Sequence, residues 1–307
     1  MGTPDFAVDC LERLSIDNYD VVGVITQPDK PKGRNYTITS PPVKVCALTL
    51  KIPVFQPQTL KNEEILPLLN DLKPDLIVVT AYGKILPEYI LNYPKLGCIN
   101  IHASLLPKYR GASPIQWSIV NGETKTGITS MYVAKGLDLG DVILKSEIEI
   151  LETDTVGDLH NKLAVLGAEN LSKTIELIIN NKAKREIQDD SQATYSPLLT
   201  KENTKIDWFK DSKTVYNLIR GLNPFPTAYT TLEGKIIKIL SSNYILSKKE
   251  NTDFGLIYKE NNDILVKCKS GHIKLLEIIP EGGKKMLATD YFRGHIKLIG
   301  SRFEWFF

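Results

Sequence analysis

An uninterrupted apolar strand pattern constrains this chain more than any other feature of its sequence. Residues 75–80 read DLIVVT, with no alternation between apolar and polar side chains. Such a strand is typical of a sheet that helices cover on both faces, because each face then needs apolar side chains. Strand patterns also occupy residues 19–26 and 52–55, and helical patterns separate the strands. The alternation predicts an α/β domain with a doubly wound, mostly parallel sheet over residues 1–181.

The first residues do not fit such a domain. They read MGTPDFAV, and a helix is expected to begin at residues 4–5 with no strand before it. A doubly wound domain normally opens with a strand that feeds its first helix, and without that strand its neighbours lose ladder partners. We therefore expect the first strand to be missing and the true start of the protein to lie upstream.

The character of the chain changes after this region. Residues 182–204 are polar and aperiodic, which predicts a linker. From residue 205 a short helical pattern precedes several β-rich runs, separated by turn sequences such as KSGH and EGGKK. These runs predict a small antiparallel β-barrel of the OB-like kind over residues 205–307.

Positive charge is concentrated in that last part of the chain. Residues 201–307 hold 18 Lys and Arg against 12 Asp and Glu, whereas the whole chain holds 38 against 36. A solvated, lysine-bearing surface explains this excess, and so does a surface that binds a polyanion such as a nucleic acid. The charge alone leaves both interpretations open.

Other classes of protein are disfavoured by composition. No apolar run is long enough to span a bilayer, and no segment combines a basic start with an apolar core as a signal peptide does. A cytoplasmic protein is therefore expected. The four cysteines are scattered and form no CxxC pair, so neither a disulfide framework nor a cysteine zinc site is expected.

Two polar residues lie inside a strand pattern at residues 97–114, which read GCINIHASLLPKYRGASP. Asn100 and His102 are two residues apart and therefore share one face of the strand. A loop follows directly, at the position where doubly wound sheets bind ligands. Asp138, in the sequence GLDLGD, is a third polar candidate.

These three side chains have complementary chemistry. An Asn amide can donate to a developing oxyanion, a His can move a proton, and an Asp beside that His would orient it and raise its pKa. Together they suit acyl transfer from a carbonyl to an amine without a Ser or Cys nucleophile. Taken singly, a His in a strand is more often a core residue, and an Asp flanked by Gly is more often a turn residue.

The longer pattern resembles a known family. INIHASLLPKYRGASPIQW is similar to the signature of the formyltetrahydrofolate-dependent formyltransferases, and GLDLGD to their aspartate loop. GTPDFAV, ITQPDKPKGR, SPPVK, AYGKILP, IDW, GLNPFPTAY and GGKKM extend the match in order along nearly the whole chain. The full set resembles the methionyl-tRNA formyltransferase family in particular.

The resemblance implies an activity and a set of site residues. The expected reaction moves a formyl group from 10-formyltetrahydrofolate to the α-amino group of charged initiator methionyl-tRNA, in a monomeric protein without a metal. Asn100, His102 and Asp138 match the catalytic residues. The residues that match the folate pocket are Tyr82, Gly83, Ile85, Ser104, Leu105, Leu106, Pro107 and Thr129.

The resemblance also implies that the long loop at residues 28–44 approaches tRNA. Arg34 matches a family arginine at the tRNA acceptor end, and Lys30 and Lys32 flank it in sequence. After Gly33 and Arg34 the chain continues Asn-Tyr-Thr-Ile, where relatives often have a further glycine and lysines. The basic C-terminal barrel is therefore expected to share in tRNA binding.

Other functions remain open at this stage. One alternative is a formyltransferase that acts on an amino sugar nucleotide, and another is a catalytically weak tRNA-binding relative. A nicotinamide dehydrogenase is disfavoured because GTPDFA supplies no GxGxxG sequence.

Overall fold

The chain forms two compact units. The computed structural model describes residues 1–32 and 36–304. The first unit comprises Met1–Pro114, Thr126–Ile148 and His160–Ser196; the second comprises Ile115–Lys125, Glu149–Leu159 and the chain from Pro197 onward. Residues 182–196, which the sequence pattern assigns to a linker, lie in the first unit.

The helices and strands follow the predicted alternation. The α-helices are α1 (Val8–Ile16), α2 (Pro42–Thr49), α3 (Leu66–Leu72), α4 (Glu88–Leu91), α5 (Pro114–Val120), α6 (Val156–Ile179), α7 (Ser212–Gly221) and α8 (Ala288–Gly294). The strands are β1 (Val24–Ile25), β2 (Lys30–Lys32), β3 (Thr37–Thr39), β4 (Val54–Phe55), β5 (Ile77–Val79), β6 (Cys98–His102), β7 (Arg110–Gly111), β8 (Lys125–Tyr132), β9 (Val142–Glu149), β10 (Tyr195–Ser196), β11 (Ala228–Leu232), β12 (Lys235–Glu250), β13 (Ile257–Glu260), β14 (Asp263–Lys267), β15 (Ser270–Pro280) and β16 (Met286–Leu287).

The sheet of the first unit is mixed. Strand β1 pairs with β4 in parallel, and β5 pairs with β6 in parallel. Strand β8 then runs antiparallel to β6, and β9 completes the order β5-β6-β8-β9. The predicted Rossmann-like α/β domain is therefore confirmed, with an antiparallel side that the sequence pattern did not indicate.

The first two residues take part in this sheet. The Met1 nitrogen donates to the Val78 carbonyl at 2.6 Å, and the Met1 carbonyl accepts from the Thr80 amide at 2.9 Å. On the other side, the Gly2 amide donates to the Ile25 carbonyl at 3.1 Å. Met1 and Gly2 thus occupy one end of a strand position between β1 and β5.

The rest of that strand position is a cavity. Its volume is about 550 Å³, and residues 19–25 and 72–78 line it together with Met1 and parts of α1 and α6. Within the described residues, β1 forms its ladder with β4 and has the single Gly2 bond on its other side, so Val24 and Ile25 are the ladder residues of the strand predicted at residues 19–26. The expectation that a first strand is missing stays a prediction.

Helix α6 begins with a reciprocal capping arrangement. The Thr155 hydroxyl accepts from the Asp158 amide at 3.2 Å, and the Asp158 carboxylate accepts from the Thr155 amide at 2.9 Å. Thr155 therefore caps this helix. Three leucines on the helix are buried: Leu159, Leu163 and Leu171.

The second unit is built on an antiparallel sheet in the order β11-β12-β15-β14-β13, with β16 beside β15. Its two edge regions are connected by the chain near residue 303. The Phe303 amide donates to the Gly255 carbonyl at 2.9 Å, and the Glu304 amide donates to the Thr231 carbonyl at 2.8 Å. Phe303 stacks on Trp208 in the core, with ring centroids 5.4 Å apart. The predicted antiparallel β domain is confirmed.

Candidate active site

Strand β6 places Asn100 and His102 on one face of the first sheet. Val79 and Met131 are the neighbours of Asn100 in the ladder, and Thr129 is the neighbour of His102. Ile99 precedes Asn100 and Ile101 lies between Asn100 and His102, and both are buried on the opposite face. The alternation inferred from sequence therefore holds in the structure.

The loop after β8 brings Asp138 to this pair. Its carboxylate accepts from Asn100 Nδ2 at 3.4 Å and lies 3.6 Å from His102 Nδ1. The Gly111 amide donates at 2.9 Å to Oδ2, the carboxylate oxygen that faces His102, whereas Asn100 donates to Oδ1. Asp138 has a φ of 56°, in the left-handed region that non-glycine residues rarely adopt. The structure thus brings the three predicted catalytic side chains together.

The contacts of His102 indicate where its protons lie. Its Nε2 atom is 2.9 Å from the Tyr109 carbonyl, which can only accept, so Nε2 carries a hydrogen. Nδ1 faces the Asp138 carboxylate and is therefore the ring nitrogen of His102 that can exchange a proton at this site.

A buried threonine holds the loop that follows β6. The Thr129 hydroxyl donates to the Ser104 carbonyl at 2.6 Å and accepts from the Leu106 amide at 3.1 Å. Leu106 is itself buried against Met131 and Val142. The Ser104 hydroxyl donates to the Lys108 carbonyl at 2.6 Å. Ser104, Leu106 and Thr129 therefore shape this loop from within, whereas Leu105 and Pro107 are half-buried.

The segment that contains Tyr82, Gly83 and Ile85 has both buried and exposed members. Tyr82 packs with Leu86 in the core, and burial raises the pKa of its hydroxyl to about 12. Gly83 has a φ of 82°, which suits glycine, and Ile85 is 81% exposed. The backbone carbonyl of Tyr82 is held by the Thr3 hydroxyl at 3.0 Å and Gln27 Nε2 at 3.2 Å.

Exposed apolar side chains on two loops suit a flat, partly apolar ligand such as a pteridine ring. Ile85 lies on one of them, and Leu137 and Leu139 flank Asp138 on the other. The two segments are linked by an ion pair between Lys135 and Glu88, with a nitrogen–oxygen distance of 3.0 Å. The arrangement fits the predicted folate pocket, and those assignments stay predictions.

The predicted loop at residues 28–44 is a short antiparallel hairpin followed by α2. Strands β2 and β3 pair through Lys30–Thr39 and Pro31–Ile38. Arg34 lies outside the described residues, and the backbone of Lys32 belongs to β2. At the base of the hairpin the Asp29 carboxylate accepts from Lys44 Nζ at 2.7 Å and from Gln56 Nε2 at 2.8 Å.

The sequence pattern did not indicate Gln188, which contacts the backbone of the Asp138 loop. Its Nε2 donates to the carbonyls of Asp138 and Gly140, each at 2.8 Å. Gln188 lies in an aperiodic segment, so neither periodicity nor a short motif pointed to it. Only its long-range contacts reveal its position.

Two features are absent from the described residues, 1–32 and 36–304. No group of three or more His, Cys, Asp or Glu side chains is placed to hold a metal ion. No helix in this part of the chain has the length and apolar character needed to span a membrane.

Comparison with known proteins agrees with this geometry. The family model described as "Formyl transferase" matches residues 1–175, and the one described as "Formyl transferase, C-terminal domain" matches residues 198–296. Among solved structures, an N-formyltransferase from Helicobacter canadensis in complex with folinic acid and dTDP-3-aminofucose is similar, with a TM-score of 0.67 and 21% identity. That likeness covers 89% of this chain and 96% of the other, and it supports the fold alone.

Curated relatives are much more similar in sequence. The methionyl-tRNA formyltransferase of Alkaliphilus oremlandii is 51% identical over 295 residues, which cover 96% of this chain and 95% of the relative. The methionyl-tRNA formyltransferase of Bacillus velezensis is 49% identical and covers 96% and 93% of the two chains. The similarity spans both units and includes the site. The chain therefore belongs to the methionyl-tRNA formyltransferase family of formyl transferases.

Proposed function

We propose that this enzyme transfers the formyl group of 10-formyltetrahydrofolate to the α-amino group of methionyl-tRNA, the step that prepares initiator tRNA for translation. The observation that carries the proposal is the convergence of an amide, an imidazole and a carboxylate beside two loops with exposed apolar side chains. High identity to methionyl-tRNA formyltransferases supports the same reaction.

The three side chains divide the chemistry between them. As the amine nitrogen attacks the formyl carbon, Asn100 Nδ2 and His102 Nδ1 donate to the carbonyl oxygen, on which negative charge develops. The Asp138 carboxylate stabilises the charged imidazole of His102 and accepts the proton that the amine loses. The bond between the formyl carbon and the folate nitrogen then breaks, and that nitrogen receives a proton. The sum is one formyl group exchanged for one hydrogen.

Positive charge outside the site supports tRNA as the acceptor. Lys30 and Lys32 lie on the β2–β3 hairpin with Arg34 beyond them in sequence, and we assign these residues to tRNA contacts. The basic C-terminal residues add phosphate contacts, which position a nucleic acid without reading its sequence.

An amino sugar nucleotide is the second candidate acceptor, because the Helicobacter canadensis structure holds dTDP-3-aminofucose in a similar fold. Competition separates the two. Methionyl-tRNA and dTDP-3-aminofucose are supplied with 10-formyltetrahydrofolate, and each formylated product is measured at increasing salt. Formylation of tRNA with a KM that rises at least about 10-fold between 50 and 200 mM salt is expected, because salt weakens phosphate contacts. Preferential formylation of the sugar would contradict the proposed acceptor.

Substitutions at the site test the assigned chemistry. Asn100→Ala is expected to lower kcat about 10²- to 10³-fold, as loss of one oxyanion donor does. Asp138→Ala and His102→Ala are each expected to lower kcat at least about 10²-fold, through loss of proton transfer. Ser191→Ala, an exposed change in the first unit, serves as the control with near-normal kcat. A near-normal kcat in Asn100→Ala would refute the oxyanion assignment.

A further inference from the structure

The loop that presents Asp138 departs from ordinary backbone geometry. It leaves β8 at Tyr132 and returns to β9 at Val142, with the Tyr132 amide donating to the Asp141 carbonyl at 2.9 Å. Asp138 adopts a left-handed conformation, and a Cβ atom added at Gly140 would lie 1.6 Å from the Tyr132 carbonyl oxygen. A backbone of this kind persists only where its surroundings hold it.

The Gln188 side chain stabilises this loop backbone through hydrogen bonds. Its amide group has two N–H donors, and both are used on this loop, one to the Asp138 carbonyl and one to the Gly140 carbonyl at 2.8 Å each. One of the two bonded carbonyls belongs to Asp138, the residue that carries the carboxylate, and the other lies two residues after it. A glutamine side chain suits this position, because its amide combines two such donors with an acceptor in the same plane.

Arg110 fixes the orientation of that amide. Its Nε and Nη2 atoms donate to Gln188 Oε1 at 3.0 and 2.8 Å, and Nη2 also donates to Asp190 at 2.7 Å. A guanidinium group only donates, so the Gln188 oxygen must face it and the NH₂ group must face the loop. Arg110 is 2% exposed, so its partners within the protein determine its position.

The residue that follows Arg110 contacts the Asp138 carboxylate. Gly111 follows Arg110, and its amide donates to Asp138 Oδ2 at 2.9 Å. Strand β7, formed by these two residues, pairs in parallel with β10 a few residues after Gln188. The contacts therefore close a ring from the Gln188 side chain through Asp138, Gly111 and Arg110 back to Gln188.

We propose that Gln188 is a positioning residue for formyl transfer: clamped by Arg110, it sets the Asp138 loop so that the carboxylate meets Asn100 and His102. Gln188 touches neither substrate in this scheme and acts through Asp138. The inference rests on the proposed function, because turnover is measured as formyl transfer. Gln188 lies outside the sequence segments that supply the other site residues.

A double-mutant cycle tests whether Gln188 acts through Asp138. Gln188→Leu is expected to lower kcat about 10- to 100-fold with little change in the KM for 10-formyltetrahydrofolate. In an Asp138→Ala background the same change is expected to lower kcat by no more than about 3-fold, because residues that act through one another are not additive. An equal loss in both backgrounds would overturn the proposal. Gln192→Leu, whose side chain contacts Asp189 instead, is the matched control.

A second variant and a second readout make the test independent of turnover. Gln188→Glu can still accept from Arg110 but cannot donate to the two loop carbonyls. In both Gln188 variants the Gly111 amide is expected to exchange with deuterium at least about 10-fold faster, because the Asp138 carboxylate leaves it. Unchanged Gly111 exchange in a folded Gln188→Glu variant would overturn the proposal. Failure of the wild-type enzyme to formylate methionyl-tRNA would instead contradict the proposed function and leave this readout intact.

Discussion

Thr129 shows how one buried hydroxyl supports the candidate site. It is fully buried and satisfies one carbonyl and one amide of the loop after β6. Thr129→Val is expected to lower the free energy of unfolding by about 2 to 4 kcal/mol, because both backbone groups lose their partner. Thr129→Ser keeps the hydroxyl and is expected to cost about 1 kcal/mol for the missing methyl group. Urea titration measures both, and equal losses would contradict this role.

Among single residues, the sequence pattern predicted those whose positions follow from the alternation of side chains along a strand. Alternation along β6 put Asn100 and His102 on one face, and the structure agrees. The approach of Asp138 followed only from the family resemblance, because its loop is separated from β6 by more than 30 residues. Gln188 could not be predicted, since its role depends on where two distant backbone segments meet.

The cavity between strands β1 and β5 is expected to change the rate of amide hydrogen exchange in both strands. Alternation in parallel strands turns the amides of Ile25 and Val78 toward the cavity between β1 and β5. Their neighbours are bonded to adjacent strand segments, Val24 to the Pro53 carbonyl at 2.8 Å and Ile77 to the Gly97 carbonyl at 3.2 Å. We expect the amides of Ile25 and Val78 to exchange with deuterium at least about 10-fold faster, because paired amides exchange only on opening. Equal protection of all four amides would contradict an open cavity.

The elements also show where pattern and structure differ. The strand predicted at residues 19–26 is reduced to β1 because the ladder partner on one side is confined to Gly2. The hairpin within residues 28–44 gave no strand signal, since each of its strands has three residues and Pro31 interrupts one of them. Its position instead depends on Asp29, Lys44 and Gln56, which pair only after the chain has folded.

For the whole molecule, the four cysteines report on both units. Burial raises the pKa of Cys10 and of Cys98 to about 12, and burial raises the pKa of Cys268 as well. At pH 8 a thiol with a pKa of about 12 is ionised to about 1 part in 10⁴, and the thiolate is the reactive form. Cys46 is only partly buried, although burial and Glu12 raise its pKa too.

We therefore expect Ellman's reagent to label Cys46 first in the native protein, and all four thiols only after denaturation. Replacing Cys46 with Ser should remove the fast phase. Rapid labelling of Cys10, Cys98 or Cys268 in the folded Cys46→Ser variant would show that these side chains are not buried as described.

At this scale the sequence predicted the order of the two kinds of domain but not their composition. Residues 115–125 and 149–159 belong to the second unit although they lie within the predicted catalytic domain. Apolar patterns are local and identify helices and strands, whereas unit membership depends on which distant surfaces pack together. The predicted boundaries at residues 181 and 205 follow a change in sequence character and stay predictions.

The most direct test of the account is formylation of methionyl-tRNA in a single turnover. Wild-type enzyme and Asn100→Ala are mixed with 10-formyltetrahydrofolate that carries a labelled formyl group and with charged initiator tRNA, and formylmethionine is quantified. We expect formylmethionine from the wild type and a rate about 10²- to 10³-fold lower from Asn100→Ala. No formylmethionine from the wild type, or equal rates from the two proteins, would contradict it.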